Sequence, residues 1–414
     1  MQASHPAKSP GTVLTAAVIV AALGYFVDIY DLILFSIVRV KSLNDLGILD
    51  KAAVTDRGLF LINMQMSGML LGGMLWGILG DKKGRLSVLF GSILLYSLAN
   101  IANGFVQTIE QYAWLRLIAG IGLAGELGAG ITLVSESLPK EKRGYGTMIV
   151  ATVGVSGAML GYWVGEKLGW RNAYFVGGGL GLTLLLLRVS VFESGMFRQV
   201  QAQAGVARGN FLSLFTNPVR LGKYLRVLLI GVPLWFVVGI LVTLAPEFGR
   251  VLGLTGEVTA GLAVFWCYFG LVFGDFMSGA LSQAWHSRNK ALQVFLGFCA
   301  VLVAVYLFGI QGASPATFYA VCFVLGISVG FWALFVTVAA EQFGTNLRAT
   351  VATTAPNFAR GAVVGLVPAF KYLSGQLGFV PGAAVLGGLT LLVAFWAVST
   401  LPESFHKDLD YVEE

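Results

Sequence analysis

The chain has 414 residues, of which 57% are apolar and only 12% charged, with 54 glycines and a mean hydropathy of +0.79. Soluble domains carry about 25% charged residues, so two or three water-facing domains are excluded and most of the surface has to face lipid. The net charge of +6 then marks one side of a bilayer rather than a nucleic-acid-binding surface.

A bilayer-spanning helix needs about 20 apolar residues. Such runs predict helices at approximately 12–38, 57–79, 86–106, 111–134, 146–166, 173–192, 225–246, 258–281, 290–310, 316–339, 350–371 and 380–401. The first run is too long for a cleaved signal peptide and is expected to stay as a helix. With both termini on one side, most of the 27 Lys and Arg residues fall on that side, Arg188 at a helix end among them. The positive-inside rule makes that side cytoplasmic. The longest linker, with Arg198, Arg208, Arg220 and Lys223, lies between the sixth and seventh runs. The expected architecture is therefore all-α, with an N-terminal six-helix bundle over 1–192, a cytoplasmic linker over 193–224 and a C-terminal six-helix bundle over 225–414.

Cys267, Cys299 and Cys322 each lie inside an apolar run, and His5, His286 and His406 all lie outside one. Neither a disulfide framework nor metal-ligand spacing results. With no Ser/His pair or phosphate loop in the spans, no enzyme chemistry, metal or cofactor is expected. An internal repeat supports the six-plus-six division. Glu136 precedes Arg143, and Glu341 precedes Arg348, at the same spacing at the ends of spans four and ten. Phe192-Glu193-Ser194 and Pro402-Glu403-Ser404 likewise close spans six and twelve. Parallel six-helix repeats place a substrate site near the bilayer midplane between the halves.

The loop between spans two and three reads GILGDKKGR, Gly77 to Arg85, fitting G-x-x-x-D-x-x-G-R. Its glycines, Gly77 and Gly84 among them, permit a tight turn. Asp81, Lys82, Lys83 and Arg85 crowd opposite charges where they can pair or meet a helix end. With RLIAGIGLAGELGAG from Arg116, SESLPKEKRG from Ser135 and GWRNAYFVGG from Gly169, the chain resembles the major facilitator superfamily along essentially its whole length. It is most similar to the metabolite–proton symporters and related sugar or organic-acid carriers. The resemblance implies a monomeric secondary transporter of the cell inner membrane, with a small-molecule substrate and protons as partners. It also implies a cytoplasmic gate in which Asp81 and Arg85 join the Glu136–Arg143 pair near Thr350. The second half departs from this pattern, since Gln283 stands where an Asp is expected, and a counterpart around Glu341 and Arg348 is correspondingly in question. Span five has a glycine stripe (Gly154, Gly157, Gly161, Gly165) for close helix packing and lacks the Gly-Pro pair of the superfamily's antiporter motif.

Ionisable residues inside a span are expensive, so each is a functional candidate. Asp28 and Asp31 share a helical face with Tyr25 in span one, and a proton carried by either carboxylate, or by Glu126 in span four, would couple transport. Arg116 lies about 15 Å from Glu126 along span four, too far to pair. Arg116 is read either as a clamp for an Asp of span one or as a substrate ligand. In the second half Asp275 lies on span eight, while Arg360 and Asn357 share a stripe on span eleven. Arg360 is either a fork for a carboxylate or the partner of Asp275. Trp235, Trp266, Tyr319 and Trp332 could stack on a ring or simply pack. Pro233 and Pro246, and Pro356 and Pro368, are expected to bend spans seven and eleven. These features predict proton-coupled uptake of a small polar metabolite, an organic anion before a sugar, by alternating access. The alternatives are an exporter, a uniporter or, remotely, a non-transporting sensor.

Overall fold

The computed structural model describes residues 16–83, 85–126, 143–193 and 211–405, all helix and connecting turn. Within these residues the helical segments group into twelve spans. The first six are Ala16–Asp45, Lys51–Lys83, Arg85–Asn103, Ile109–Leu123, the pair Arg143–Val155 and Gly157–Lys167, and Trp170–Glu193. The seventh runs Pro218–Phe236, through the π-helical Val237–Val242, to Ala245–Val251. The eighth is Ala260–Ala284, and the ninth is Arg288–Ala304 extended by the π-helical Val305–Gly309. The tenth is Pro315–Val329 with Trp332–Glu341, the eleventh Thr345–Gly361 with Val363–Leu377, and the twelfth Phe379–Thr400. Eight of the described helices are long and apolar enough to cross a membrane by length and composition alone. With an even number of spans, the first begins and the twelfth ends on one face, the terminal face; the other is the distal face.

Boundary residues supply the backbone partners that lipid cannot. Thr108, Thr259, Ser287 and Ser314 accept from amides in the first turns of spans four, eight, nine and ten, and Asn217 does so for span seven. Glycine sets the spacing inside each half. A side-chain carbon on Gly68, Gly72 or Gly120 would strike backbone across the contact of spans two and four. Gly270, Gly274 and Gly326 stand in the same relation for spans eight and ten, so the repeat seen in the sequence is also a repeat in packing. The span-five stripe is used as its spacing implies, with Gly154 against Tyr25 and Gly157 against the Phe26 carbonyl of span one.

The expected proline bends are met in span seven, whereas the break in span eleven falls six residues from either of its prolines. Span seven passes through Pro233 into its π-helical stretch and breaks before Pro246. Span eleven divides at Ala362, between Pro356 and Pro368. A further break at Gly330–Phe331 in span ten carries no proline. The halves meet where span two packs on span eleven and span five packs on span eight.

Candidate substrate and coupling site

Span one is the spine of the site. Gly24, Asp28, Asp31 and Arg39 recur at spacings that place polar groups at successive depths along the helix, and the two aspartates and Arg39 are fully buried. Asp28 faces the other half of the molecule. Its Oδ2 accepts from both Nη1 and Nη2 of Arg360 on span eleven at 3.4 Å. Well-made guanidinium–carboxylate bonds are about 2.7–2.9 Å long, so this pair is held loosely. Asp28 Oδ1 and Arg360 Nε have no hydrogen-bond partner. The guanidinium also lies 5.8 Å from the ring centre of Trp235 and 5.7 Å from that of Trp332. The two indoles meet edge to face at 5.9 Å. Tyr25, one turn before Asp28, is within electrostatic reach of Arg360, Asp28 and Asp275.

The pairings differ from both that the sequence offered. Arg360 bonds Asp28 rather than Asp275, whose Oδ1 accepts instead from the Ala333 amide at 3.0 Å. Arg116 bonds neutral groups rather than Asp28. It donates to Asn100 at 2.9 Å, Asn103 at 3.3 Å and Gln65 at 3.4 Å, and lies 4.8 Å from the Tyr174 ring centre. Asp31 is close enough to feel Arg116 electrostatically and stands beside the Asn100 side chain, but neither of its oxygens makes a hydrogen bond of ordinary length and angle. Asn357, one turn before Arg360, bridges the halves by donating to the Ala124 carbonyl at 2.6 Å.

Three charged residues important to this geometry escaped the sequence reading. Arg188, counted there with the terminal-face charges, is buried and forms an ion pair with Glu126, both packed against Gly24. Arg39 and Glu247, which fall just past the ends of the first and seventh predicted runs, are also buried. Arg39 Nη2 lies 2.8 Å from each carboxylate oxygen and 3.1 Å from the Thr243 carbonyl, and Thr55 donates to the same carboxylate at 2.9 Å. This latch joins span one to span seven across the halves. Lys371 of span eleven adds a second, exposed distal link to Asp56 of span two. The signal for all three was an uncompensated charge within a few residues of an apolar run.

At the terminal face Gly77 packs near Thr354 and Phe211. Gly84 and Glu136 lie outside the described residues, as do the side chains of Asp81, Arg85 and Arg143. In the second half, Glu341 is held by Arg288, from Nη2 at 3.1 Å and Nε at 3.2 Å, and by the Ser404 hydroxyl at 2.8 Å. Arg288 thus supplies a cation where the sequence lacked the loop motif, while Arg348 stands in the first turn of span eleven. Glu403 accepts from Ser287 and from the amides of Arg288 and Asn289. Desolvation alone would raise this carboxyl, but these bonds outweigh it and hold it below the usual glutamate range.

The family model described as Major Facilitator Superfamily matches residues 12–379. The chain belongs to the Major Facilitator Superfamily. It is a multi-pass membrane transporter, as its sequence motifs implied. It is similar to the "Probable 4-methylmuconolactone transporter" of Cupriavidus pinatubonensis, 27% identical over 356 residues, which is 81% of this chain and 79% of that one. It is also similar to the 3-(3-hydroxy-phenyl)propionate transporter of Escherichia coli, 29% identical over 81% of this chain and 82% of that one. Among solved structures, the proton:xylose symporter bound to 6-bromo-6-deoxy-D-glucose shares the fold with a TM-score of 0.70. The two are 17% identical, over 95% of this chain and 97% of that one.

Proposed function

We propose that this carrier takes up a small organic anion with a planar apolar body, an aromatic acid in the simplest case, together with a proton. The observation that carries the reading is the loose Asp28–Arg360 pair between the halves. Its guanidinium is a fork for a carboxylate, and Trp235 and Trp332 offer ring faces beside it. Protonating Asp28 ends its hold on Arg360 and leaves the fork to the substrate carboxylate. A ligand shifts a conformational equilibrium only if it binds the two states differently, and a proton on Asp28 does so because the pair exists only when the halves meet. Asp31, buried without a hydrogen bond of ordinary geometry, is the second protonation site. Glu126, locked to Arg188, is assigned to structure. The two relatives named for an aromatic acid and a lactone support the substrate class.

In this reading the six-helix bundles over 1–192 and 225–414 rock about the site, with the 193–224 linker and both termini in the cytoplasm. The Arg39–Glu247 latch then closes the outer face of the inner membrane. The loop motif with Glu136 and Arg143, together with Arg288 and Glu341, closes the cytoplasmic face in the opposite state. Thermal-shift titration of purified protein with 3-(3-hydroxyphenyl)propionate and with xylose tests the substrate class, since a ligand specific for the folded state raises the melting temperature. The aromatic acid is expected to stabilise the wild type and Asp28→Asn but not Arg360→Ala. Stabilisation by xylose alone, or an undiminished shift in Arg360→Ala, overturns it.

A further inference from the structure

Span ten breaks at Gly330–Phe331, and its second half starts at Trp332 with Phe331 in the capping position. Phenylalanine has no oxygen with which to accept from the first-turn amides, a role that falls to Ser, Thr, Asp or Asn at most helix starts. Phe331 and Trp332 are buried in protein, so bulk water does not take over that role. The acceptor comes instead from another helix. Asp275 of span eight bonds the Ala333 amide through Oδ1 at 3.0 Å, with its side chain buried. This is possible because Gly274 and Gly330 bring the two backbones into direct contact. A carboxylate also suits the positive end of a helix dipole. Trp332, the residue held by this cap, is one of the two rings flanking Arg360.

The buried charges point the same way. Asp28, Glu126 and Glu247 each have an arginine within ion-pair distance, and Asp31 feels Arg116. Asp275 has no ion-pair partner among the described residues, and the ionisable group that senses it from span one is Tyr25. Its Oδ2 accepts no bond. The bond that caps the helix is made by one acceptor oxygen, which an amide side chain also carries.

We infer that Asp275 is a positioning residue, which caps the second half of span ten from span eight and so holds Trp332 at the site. The substrate half of this inference rests on the proposed aromatic-acid reading; the capping half does not. Hydrogen exchange of the full carrier in nanodiscs, followed in a peptide covering residues 330–336, reads the cap without any ligand. Asp275→Ala is expected to exchange about fivefold faster there, while Asp275→Asn, which keeps the acceptor, stays at the wild-type rate. Binding of benzoate and of cyclohexanecarboxylate, acids of equal charge of which only one has an aromatic face, reads the consequence for Trp332. The wild-type preference for benzoate is expected to vanish in Asp275→Ala and to survive in Asp275→Asn, at matched melting temperatures. Unchanged exchange in Asp275→Ala overturns the inference, and so does Asp275→Asn exchanging as fast as Asp275→Ala. A benzoate preference that survives in Asp275→Ala despite fast exchange overturns the positioning role. If the wild type binds neither acid, the substrate reading fails while the exchange result still decides the cap.

Discussion

Replacing Glu247 with Gln is expected to unlatch the distal face. The substitution keeps the shape of the side chain but removes the charge that faces Arg39, whose own side chain is fully buried. Arg39 Nη2 loses one of its two 2.8 Å contacts, because an amide nitrogen cannot accept, and faces a neutral oxygen at the other, while the Thr243 carbonyl at 3.1 Å is unchanged. Its Nε and Nη1 already have no partner. Breaking a buried pair by removing one charge costs about 3–5 kcal/mol, because the survivor is left uncompensated. In a distal-open state Arg39 reaches water and that cost disappears, so it falls almost wholly on the closed state. At 1.4 kcal/mol per tenfold, the closed-to-open ratio drops by about 10²- to 4 × 10³-fold, enough to invert a modest preference. Spin labels at Leu49 and Val251, exposed positions at the distal ends of the two halves, report the change by pulsed electron resonance. The wild type is expected to show one short distance, and Glu247→Gln a dominant longer one. An unchanged distribution accompanied by a lower melting temperature would show that the pair supports the fold rather than the gate.

Glu126→Gln strands the buried Arg188 and is expected to lower stability by about 3–5 kcal/mol. Its folded fraction is expected to keep the response to a proton gradient, which paired melting and uptake measurements check. Gly157→Val puts a side chain against the Phe26 carbonyl of span one, where backbone cannot yield. A cost of at least about 1–3 kcal/mol from overpacking and aggregation on gel filtration are expected, whereas Gly222→Ala, which meets open space, is silent. The Glu403 clasp on span nine has a folded carboxyl held below its ordinary value. Its contribution is therefore complete above the usual glutamate range and is lost only as pH falls through the lowered value. Exchange at residues 401–405, followed down a pH series, should stay protected until that point.

The twelve spans, the glycine stripe of span five and the proline break of span seven were legible because each is a local pattern with a single physical meaning in lipid. Asp28, Tyr25 and Arg360 could be named as candidates, since a charge in an apolar run needs a reason. Their pairing could not be read, because Asp28 and Arg360 belong to different halves and no sequence spacing links them. Arg188 was misplaced, and Arg39 passed over, for a related reason. A long basic side chain near a helix end reads as one that reaches water, and only the packing of Gly24 on the Arg188–Glu126 pair, or of Gly58 on Arg39, shows it turned inward. The break in span ten was invisible because it rests on a contact between two glycines and on a cap borrowed from another helix.

In the proposed mechanism Asp28 and a carboxylate substrate share one guanidinium, and a proton decides between them. The most direct measurement is uptake of a labelled aromatic acid into proteoliposomes, with an inward proton gradient imposed and then collapsed by an ionophore, in the wild type and in Asp28→Asn. The gradient is expected to accelerate uptake by the wild type and to leave Asp28→Asn unaffected, although that variant still binds the acid through Arg360. Wild-type uptake that is the same with the gradient and without it contradicts the account.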